Sequence, residues 1–151
     1  YGNASLLVLL GAMLLSTTAS ADEIEDRLRL YDSNHDGAIS MTEHAAATAD
    51  SFKEIDSNHD GRIDAEELTT SMVRGTGTTY GPVSTGGRQA ARSVGQVIVK
   101  SWDRDGNGTV SLAEYKINAD ASFARGDTSH DGRMTLEEMQ AGARPPVQTA
   151  R

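Results

Sequence analysis

The sequence contains no cysteine, and aromatic residues make up only 5% of its 151 residues. Without cysteine the chain can form no disulfide, iron–sulfur cluster, thiolate zinc site or cysteine nucleophile. Its hydrophobic fraction is 37%, so we do not expect a large enzyme core, and a force other than hydrophobic burial should help to hold the fold. Basic residues are also scarce, with 14 Lys+Arg against 22 Asp+Glu, which gives a net charge of -8. This balance argues against a nucleic-acid partner, because phosphate contacts need clustered Lys and Arg.

An apolar run, LLVLLGAMLL, occupies residues 6–15 and is followed by small residues at Ala19 and Ala21. Such a run ending in an A-x-A-like site is typical of a cleavable signal peptide, and it is shorter than the roughly 20 apolar residues of a membrane-spanning helix. The basic residues that usually begin a signal peptide are absent. We predict a signal peptide over residues 1–21, cut after Ala21, and a periplasmic or secreted protein that has no membrane contact after cleavage. An uncleaved anchor and a helix packed in the fold are the alternatives.

Four acidic segments of the chain share one pattern. Each has Asp first, an oxygen-bearing residue third, Asp or Asn fifth, Gly sixth, an apolar residue eighth and Glu twelfth. In chain order these are loop one, DSNHDGAISMTE at 32–43; loop two, DSNHDGRIDAEE at 56–67; loop three, DRDGNGTVSLAE at 103–114; and loop four, DTSHDGRMTLEE at 127–138. The chain resembles the EF-hand calcium-binding family, in particular the small secreted or periplasmic calmodulin-like EF-hand proteins of bacteria, over nearly all of residues 24–142.

The resemblance implies an all-α fold, an array of helix–loop–helix units with four loops in two pairs and short β-bridges between loops. Along the chain we predict one EF-hand pair over residues 22–74 and another over residues 88–142. A Gly/Thr-rich linker at 75–87 separates them, and a flexible tail follows at 143–151.

The EF-hand pattern also assigns ligands for up to four Ca2+, with Mg2+ as a competitor. Calcium takes six to eight oxygens, which come from side chains at positions one, three and five, the carbonyl at seven, position nine, often through water, and both oxygens of the last Glu. The candidate ligands are Asp32, Asn34, Asp36, Ala38 and Glu43 in loop one; Asp56, Asn58, Asp60, Arg62, Asp64 and Glu67 in loop two; Asp103, Asp105, Asn107, Thr109 and Glu114 in loop three; and Asp127, Ser129, Asp131, Arg133 and Glu138 in loop four.

The spacing of the loops is unusually short. Loops one and two begin 24 residues apart, as do loops three and four, which leaves too few residues for two helices and a turn. Residues 41–55 contain no Gly or Pro and carry apolar side chains on one helical face. We therefore predict one shared helix in each half, which would hold its two loops roughly 18–20 Å apart. Loop one should then meet loop four, and loop two should meet loop three. The alternative is a helix break near residues 45–49, with loops one and two paired.

Apolar residues occur just before each loop and at one position within it, and we predict that these residues form the core. They stand one and four residues before each loop and at its eighth position, and Gly126 is the exception before loop four. The eighth-position residues are Ile39, Ile63, Val110 and Met134.

Three histidines occupy the fourth loop position, His35, His59 and His130. We interpret them as solvent-facing loop residues, with zinc or copper binding or sensing of acid pH as the alternatives.

The predicted function is calcium binding outside the cytoplasm, as a sensor or a buffer. The alternative is a calcium-stabilised structural, adhesion or regulatory subunit with an unidentified protein partner. Outside the loops the sequence offers no catalytic cluster, so we predict no catalytic residues, no other cofactor and no enzymatic activity. Thirteen of the 22 acids are candidate ligands, and four bound calcium ions would bring the net charge of -8 close to zero.

The loops should differ in affinity. Loop two offers four carboxylates and the others three, whereas loop four has Ser129 where Asp or Asn is usual. In calorimetric titration with calcium, Glu67→Gln should lose one of the tightest binding steps. Glu138→Gln should lose the weakest binding step. Loss of the tightest step in Glu138→Gln would show that the ranking is wrong.

Overall fold

The computed structural model describes residues 21–75 and 85–142, which contain six helices and four short strands. In chain order these are α1 (Ala21–Tyr31), β1 (Ala38–Ser40), α2 (Met41–Ile55), β2 (Arg62–Ile63), α3 (Ala65–Gly75), α4 (Thr85–Trp102), β3 (Val110–Ser111), α5 (Leu112–Gly126), β4 (Arg133–Thr135) and α6 (Leu136–Gly142). The all-α prediction is confirmed. Nearly all of the predicted signal peptide, most of the predicted linker and the predicted tail lie outside the described residues. None of the described helices is both long and apolar enough to cross a membrane.

The described residues form two compact units. Unit A contains the described residues of 48–119, and unit B contains residues 21–47 and 120–142. The division falls inside α2 and α5, each of which runs unbroken between two loops. The prediction of a shared helix in each half is therefore confirmed, and no break occurs near residues 45–49.

Antiparallel β-bridges join the loops within each unit. In unit B, β1 pairs with β4 in a register that sets Ile39 opposite Met134. In unit A, β2 pairs with β3 and sets Ile63 opposite Val110. Loop one therefore meets loop four and loop two meets loop three, as the loop spacing predicted.

Each unit has its own apolar core, to which the eighth-position residues contribute. Trp102 packs against the unit A core and meets the Tyr115 ring edge-on, with centroids 5.6 Å apart. The buried members are Phe52, Ile55, Ile63, Leu68, Val99, Val110 and Tyr115 in unit A, and Ile24, Leu28, Ile39, Phe123, Met134 and Met139 in unit B. The predicted core positions at and before the loops are thus confirmed.

Two details of the unit B core were not apparent in the sequence. His44 is buried, its ring centroid 4.7 Å from that of Phe123 and its Nε2 3.3 Å from Asp120 Oδ1. Gly126 departs from the apolar pattern because the Met134 side chain fills its place: a Cβ at Gly126 would lie 2.5 Å from Met134 Cε. The small residue before loop four and the long residue within it are therefore complementary.

The entry helix of loop three begins earlier than its sequence indicated. Composition placed the helix start at residue 88, after the Gly/Thr-rich segment, whereas α4 begins at Thr85. The N–H groups of the first helical turn have no intrahelical partner, so a helix can begin on residues that are poor formers of its interior.

Helices α3 and α4 approach closely at Gly95. A Cβ at this position would lie 2.6 Å from Thr69 Oγ1 and 2.9 Å from the backbone oxygen of Ala65. Because the backbone of α3 cannot shift without a cost in energy, we expect Gly95→Ala to lower the free energy of unfolding by about 1–3 kcal/mol. We expect this loss to exceed the gain from the higher helix propensity of alanine. Urea unfolding at saturating calcium measures this change. The control is Gly142→Ala, where nothing lies within 4 Å, and equal stability of the two variants would contradict the close approach.

Candidate metal centres

Each loop begins where a helix ends. The N–H of the first loop residue donates to the carbonyl of the residue four positions earlier, at 2.8 or 2.9 Å. The four bonds run from Asp32 to Leu28, from Asp56 to Phe52, from Asp103 to Val99 and from Asp127 to Phe123. All four acceptor residues have buried side chains, so the apolar cores fix the position of each first-position carboxylate.

The first-position carboxylate bends its own loop. In loop one, Asp32 Oδ1 accepts the N–H of Asp36 at 3.0 Å, and Oδ2 accepts the N–H of Gly37 at 2.8 Å. The same two bonds recur from Asp60 and Gly61 to Asp56, from Asn107 and Gly108 to Asp103, and from Asp131 and Gly132 to Asp127. Short carboxylates favour such turns because they can accept bonds from nearby backbone N–H groups.

The turn requires left-handed backbone at the fourth loop position. His35, His59 and His130 have φ of 58°, 59° and 58°, and Gly106 has φ of 75°. Histidine is among the few residues other than glycine that are enriched in this region. The three histidines thus have a backbone role in the turn, which agrees with their interpretation as loop residues.

The twelfth-position glutamate ties together the two ends of its loop. Glu43 Oε1 accepts the N–H groups of Ser33 at 2.8 Å and Asn34 at 3.2 Å, and Oε2 accepts the N–H and O–H of Ser40 at 2.9 and 2.8 Å. Glu67, Glu114 and Glu138 bind the second or third and the ninth residues of their own loops in the same way. Both oxygens of each closing carboxylate are therefore held in place.

These hydrogen bonds keep the closing carboxylates of loops one, three and four ionised. The backbone N–H and the hydroxyl of Ser40 lower the pKa of Glu43 from its usual 4.5 to about 2, and Ser111 has the same effect on Glu114. The pKa of Glu138 is lowered to about 2, chiefly by the backbone N–H of Thr135. These three glutamates therefore keep their negative charge over a wide range of pH.

The ninth-position residue also caps the helix that follows the loop. Ser40 Oγ accepts the N–H of Glu43 at 3.3 Å while Glu43 accepts the N–H of Ser40, which is a capping box. Ser111 with Glu114, Thr135 with Glu138 and Asp64 with Glu67 repeat the arrangement. The calcium-loop pattern identifies position nine only as a ligand or water site, although the S/T-x-x-E and D-x-x-E spacing also indicates a cap.

Loop three brings its carboxylates closest together. One oxygen from each of Asp103, Asp105 and Glu114 lies within 4.8 Å of the other two, and no other such group occurs in residues 21–75 and 85–142. The Asn107 amide nitrogen donates to Asp105 Oδ2 at 2.8 Å. The donor set consists of carboxylate and amide oxygens, which a hard cation such as calcium prefers. The residues of loop three therefore fit Ca2+.

The candidate ligands of the other loops are held by bonds within their own loops. At position three, Asn34 and Asn58 each accept a backbone N–H through Oδ1, at 2.9 and 2.8 Å, whereas Ser129 donates its O–H to Asp127 at 3.3 Å. The fifth-position carboxylates accept the N–H of the seventh residue at 2.9–3.1 Å; these are Asp36, Asp60 and Asp131. Of the seventh residues, Ala38, Arg62 and Arg133 lie in strands and Thr109 directly precedes β3.

Two arginines reach across the β-bridges to the partner loop. In unit B, Arg133 Nη2 lies 2.7 Å from Asp36 Oδ2. In unit A, Arg62 Nη1 donates to Thr109 Oγ1 at 3.1 Å. The calcium-loop pattern assigns a role only to the backbone carbonyls of these two arginines. Their side-chain partners belong to another loop, which no local pattern identifies.

The EF-hand domain pair family matches residues 46–119, and the EF hand family matches residues 24–43. Together the two matches span more than half of the chain, and the chain belongs to the EF-hand calcium-binding family. The matched pair contains loops two and three, which are the loops that β2 and β3 join in unit A. No curated protein is significantly similar to the chain.

The lowered pKa values link the stability of the folded loops to pH. Because Glu43, Glu114 and Glu138 titrate near 2 when folded and have a usual pKa of 4.5, they stabilise the folded state above pH 4.5. This contribution is lost as the pH falls toward 2. In urea unfolding at fixed calcium, the contribution of these three carboxylates to the free energy of unfolding should be constant from pH 7 to about 5 and should decline below. A decline that is complete above pH 5 would contradict the hydrogen-bonded geometry.

Proposed function

We propose that the chain is a non-enzymatic calcium buffer that acts outside the cytoplasm and binds up to four Ca2+ through loops one to four. The main support for this proposal is a set of hydrogen bonds that all four loops share. In every loop, residues near both ends of the loop donate hydrogen bonds to the closing glutamate. A carboxylate held by both oxygens is arranged for bidentate coordination, which an EF-hand requires of its twelfth residue. The clustered carboxylates of Asp103, Asp105 and Glu114 add support in loop three.

The proposal includes coupling between calcium binding and folding. The carboxylates of a loop repel one another until a cation reduces their charge, and a ligand that binds only the folded state stabilises it by mass action. At a concentration one hundred times its dissociation constant, each ion adds about 2.7 kcal/mol. For a chain with so small an apolar fraction, calcium is then a main source of stability.

A buffer is favoured over a groove-opening sensor by the placement of the methionines. Promiscuous sensors expose a Met-rich surface for their targets. Here Met134 and Met139 are buried in the unit B core, Met72 is partly buried against the unit A core, and Met41 is exposed. Most methionines of the described residues thus fill cores instead of lining a binding surface.

The extracytoplasmic location rests on the apolar run at residues 6–15 and the small residues at Ala19 and Ala21. We propose that the mature protein has calcium ions as its main partners and contacts neither nucleic acid nor membrane. An unidentified protein partner is compatible with this role, and Mg2+ is the expected competitor at the loops.

The calcium dependence of folding tests the proposal most simply. Circular dichroism should show a cooperative thermal melt with calcium and a loose or partly unfolded chain with a chelator, because the carboxylates then lack a counter-ion. Calorimetry should find up to four bound ions and one fewer in Glu138→Gln. The matched control is Glu137→Gln, which alters an exposed neighbour of the same chemistry and should keep every ion. An unchanged melt in chelator, or no heat of calcium binding, would overturn the proposal.

A dye that becomes fluorescent on apolar surface separates a buffer from a sensor. For a buffer, we expect the fluorescence to fall or stay constant when calcium is added, because calcium stabilises the folded state in which the apolar core residues are buried. A sensor would instead expose a groove and raise the fluorescence. A rise would overturn the buffer role and leave calcium binding intact. Repeating the titration in Mg2+ shows whether the response is specific to calcium.

A further inference from the structure

The β-bridge of unit B places an arginine of loop four on a candidate calcium ligand of loop one. The register of β1 and β4 sets Arg133 opposite Ser40, and from there the guanidinium reaches back to Asp36. The contact is short, with Arg133 Nη2 2.7 Å from Asp36 Oδ2. The two side chains are 44% and 35% exposed, so the pair is accessible to solvent and to ions.

The ion pair leaves Asp36 without an uncommitted oxygen. Its Oδ1 accepts the N–H of Ala38 at 3.1 Å, and its Oδ2 is paired with Arg133. Loop one has three carboxylates among its candidate ligands, so the guanidinium offsets one of its three negative charges. A cation entering loop one must displace the guanidinium from Asp36 or share the carboxylate with it.

Unit A provides an internal comparison. Arg62 stands opposite Ser111 in the β2–β3 bridge, as Arg133 stands opposite Ser40. Its guanidinium nevertheless ends on the hydroxyl of Thr109, and that hydroxyl bonds the amide oxygen of Asn107, the fifth residue of loop three. The same arginine position therefore meets a charged ligand in unit B and a neutral hydroxyl in unit A.

We propose that Arg133 is an affinity-determining residue of loop one, whose guanidinium competes with calcium for the carboxylate of Asp36. Loop one therefore binds calcium more weakly than its own ligands would allow. The inference rests on the proposed binding of calcium by loop one. Even in a water-like dielectric, one positive charge a few ångströms from a doubly charged ion changes the dissociation constant by about tenfold.

Four glycine amides allow each loop to be followed separately. The N–H of the sixth loop residue donates to Oδ2 of the first-position Asp in every loop, so its NMR signal should respond when that carboxylate binds an ion. The reporters are Gly37 for loop one, Gly61 for loop two, Gly108 for loop three and Gly132 for loop four. The experiment is a titration of the full chain with Ca2+, with a competing chelator where binding is tight.

The variants are Arg133→Gln, Arg133→Lys and, as the matched control, Arg62→Gln. Arg133→Gln keeps the seventh-position carbonyl of loop four and removes the charge, so the Gly37 signal should report about tenfold tighter binding. The lysine variant keeps the charge and should stay closer to wild type. The gain should shrink at high salt, because salt screens exposed charges. Arg62→Gln should change the affinity reported by Gly108 less than Arg133→Gln changes the affinity reported by Gly37, because the Arg62 guanidinium contacts a neutral hydroxyl and not a ligand carboxylate. In Asp36→Asn the substitution Arg133→Gln should have little further effect.

The outcomes separate this inference from the proposed function. If Gly37 reports calcium binding with the same or lower affinity in Arg133→Gln, the role of Arg133 is refuted while calcium binding by loop one stands. If Gly37 responds to calcium only in Arg133→Gln, the competition is supported in its strongest form. If Gly37 responds in neither protein while Gly108 does, loop one binds no calcium, and both statements about loop one fail.

Discussion

In every loop, one carboxylate joins the end of the entering helix to the start of the leaving helix. This is the twelfth-position glutamate, which accepts hydrogen bonds from the second or third loop residue on one oxygen and from the ninth on the other. The same residue lies in the first turn of the next helix, where a negative charge is favoured by the helix dipole. Helix capping, loop closure and the charge that would hold calcium therefore depend on a single side chain in each loop.

Because the loops are closely spaced, each of two helices is both the leaving helix of one loop and the entering helix of the next. Helix α2 contains the closing glutamate of loop one in its first turn and ends one residue before the first ligand position of loop two, and α5 stands in the same relation to loops three and four. Because each shared helix separates its own two loops, the β-bridges join loops from different halves of the chain. Unit B is consequently assembled from two segments that are distant in sequence, 21–47 and 120–142, whereas the described residues of unit A all lie within 48–119.

The sequence allowed the loops, the shared helices and the loop pairing to be predicted, because all of these follow from local patterns and from the length that a helix spans. It could not reveal contacts that depend on three-dimensional pairing. The burial of His44 beside Phe123 and the fit of Met134 over Gly126 require knowledge of which helices and loops face one another. The contact of Arg133 with Asp36 is of the same kind, since it follows from a β-bridge register that no single loop encodes.

The pairing of the loops and its dependence on calcium are tested most directly by nuclear Overhauser effects across the bridges. In the calcium-loaded protein we expect cross-strand contacts between Ile39 and Met134 and between Ile63 and Val110, and their loss when a chelator removes the ion. Contacts between Ile39 and Ile63 instead would show that loops one and two pair, and would contradict the shared-helix arrangement. Bridges that persist unchanged in chelator would contradict the claim that calcium holds the loops together.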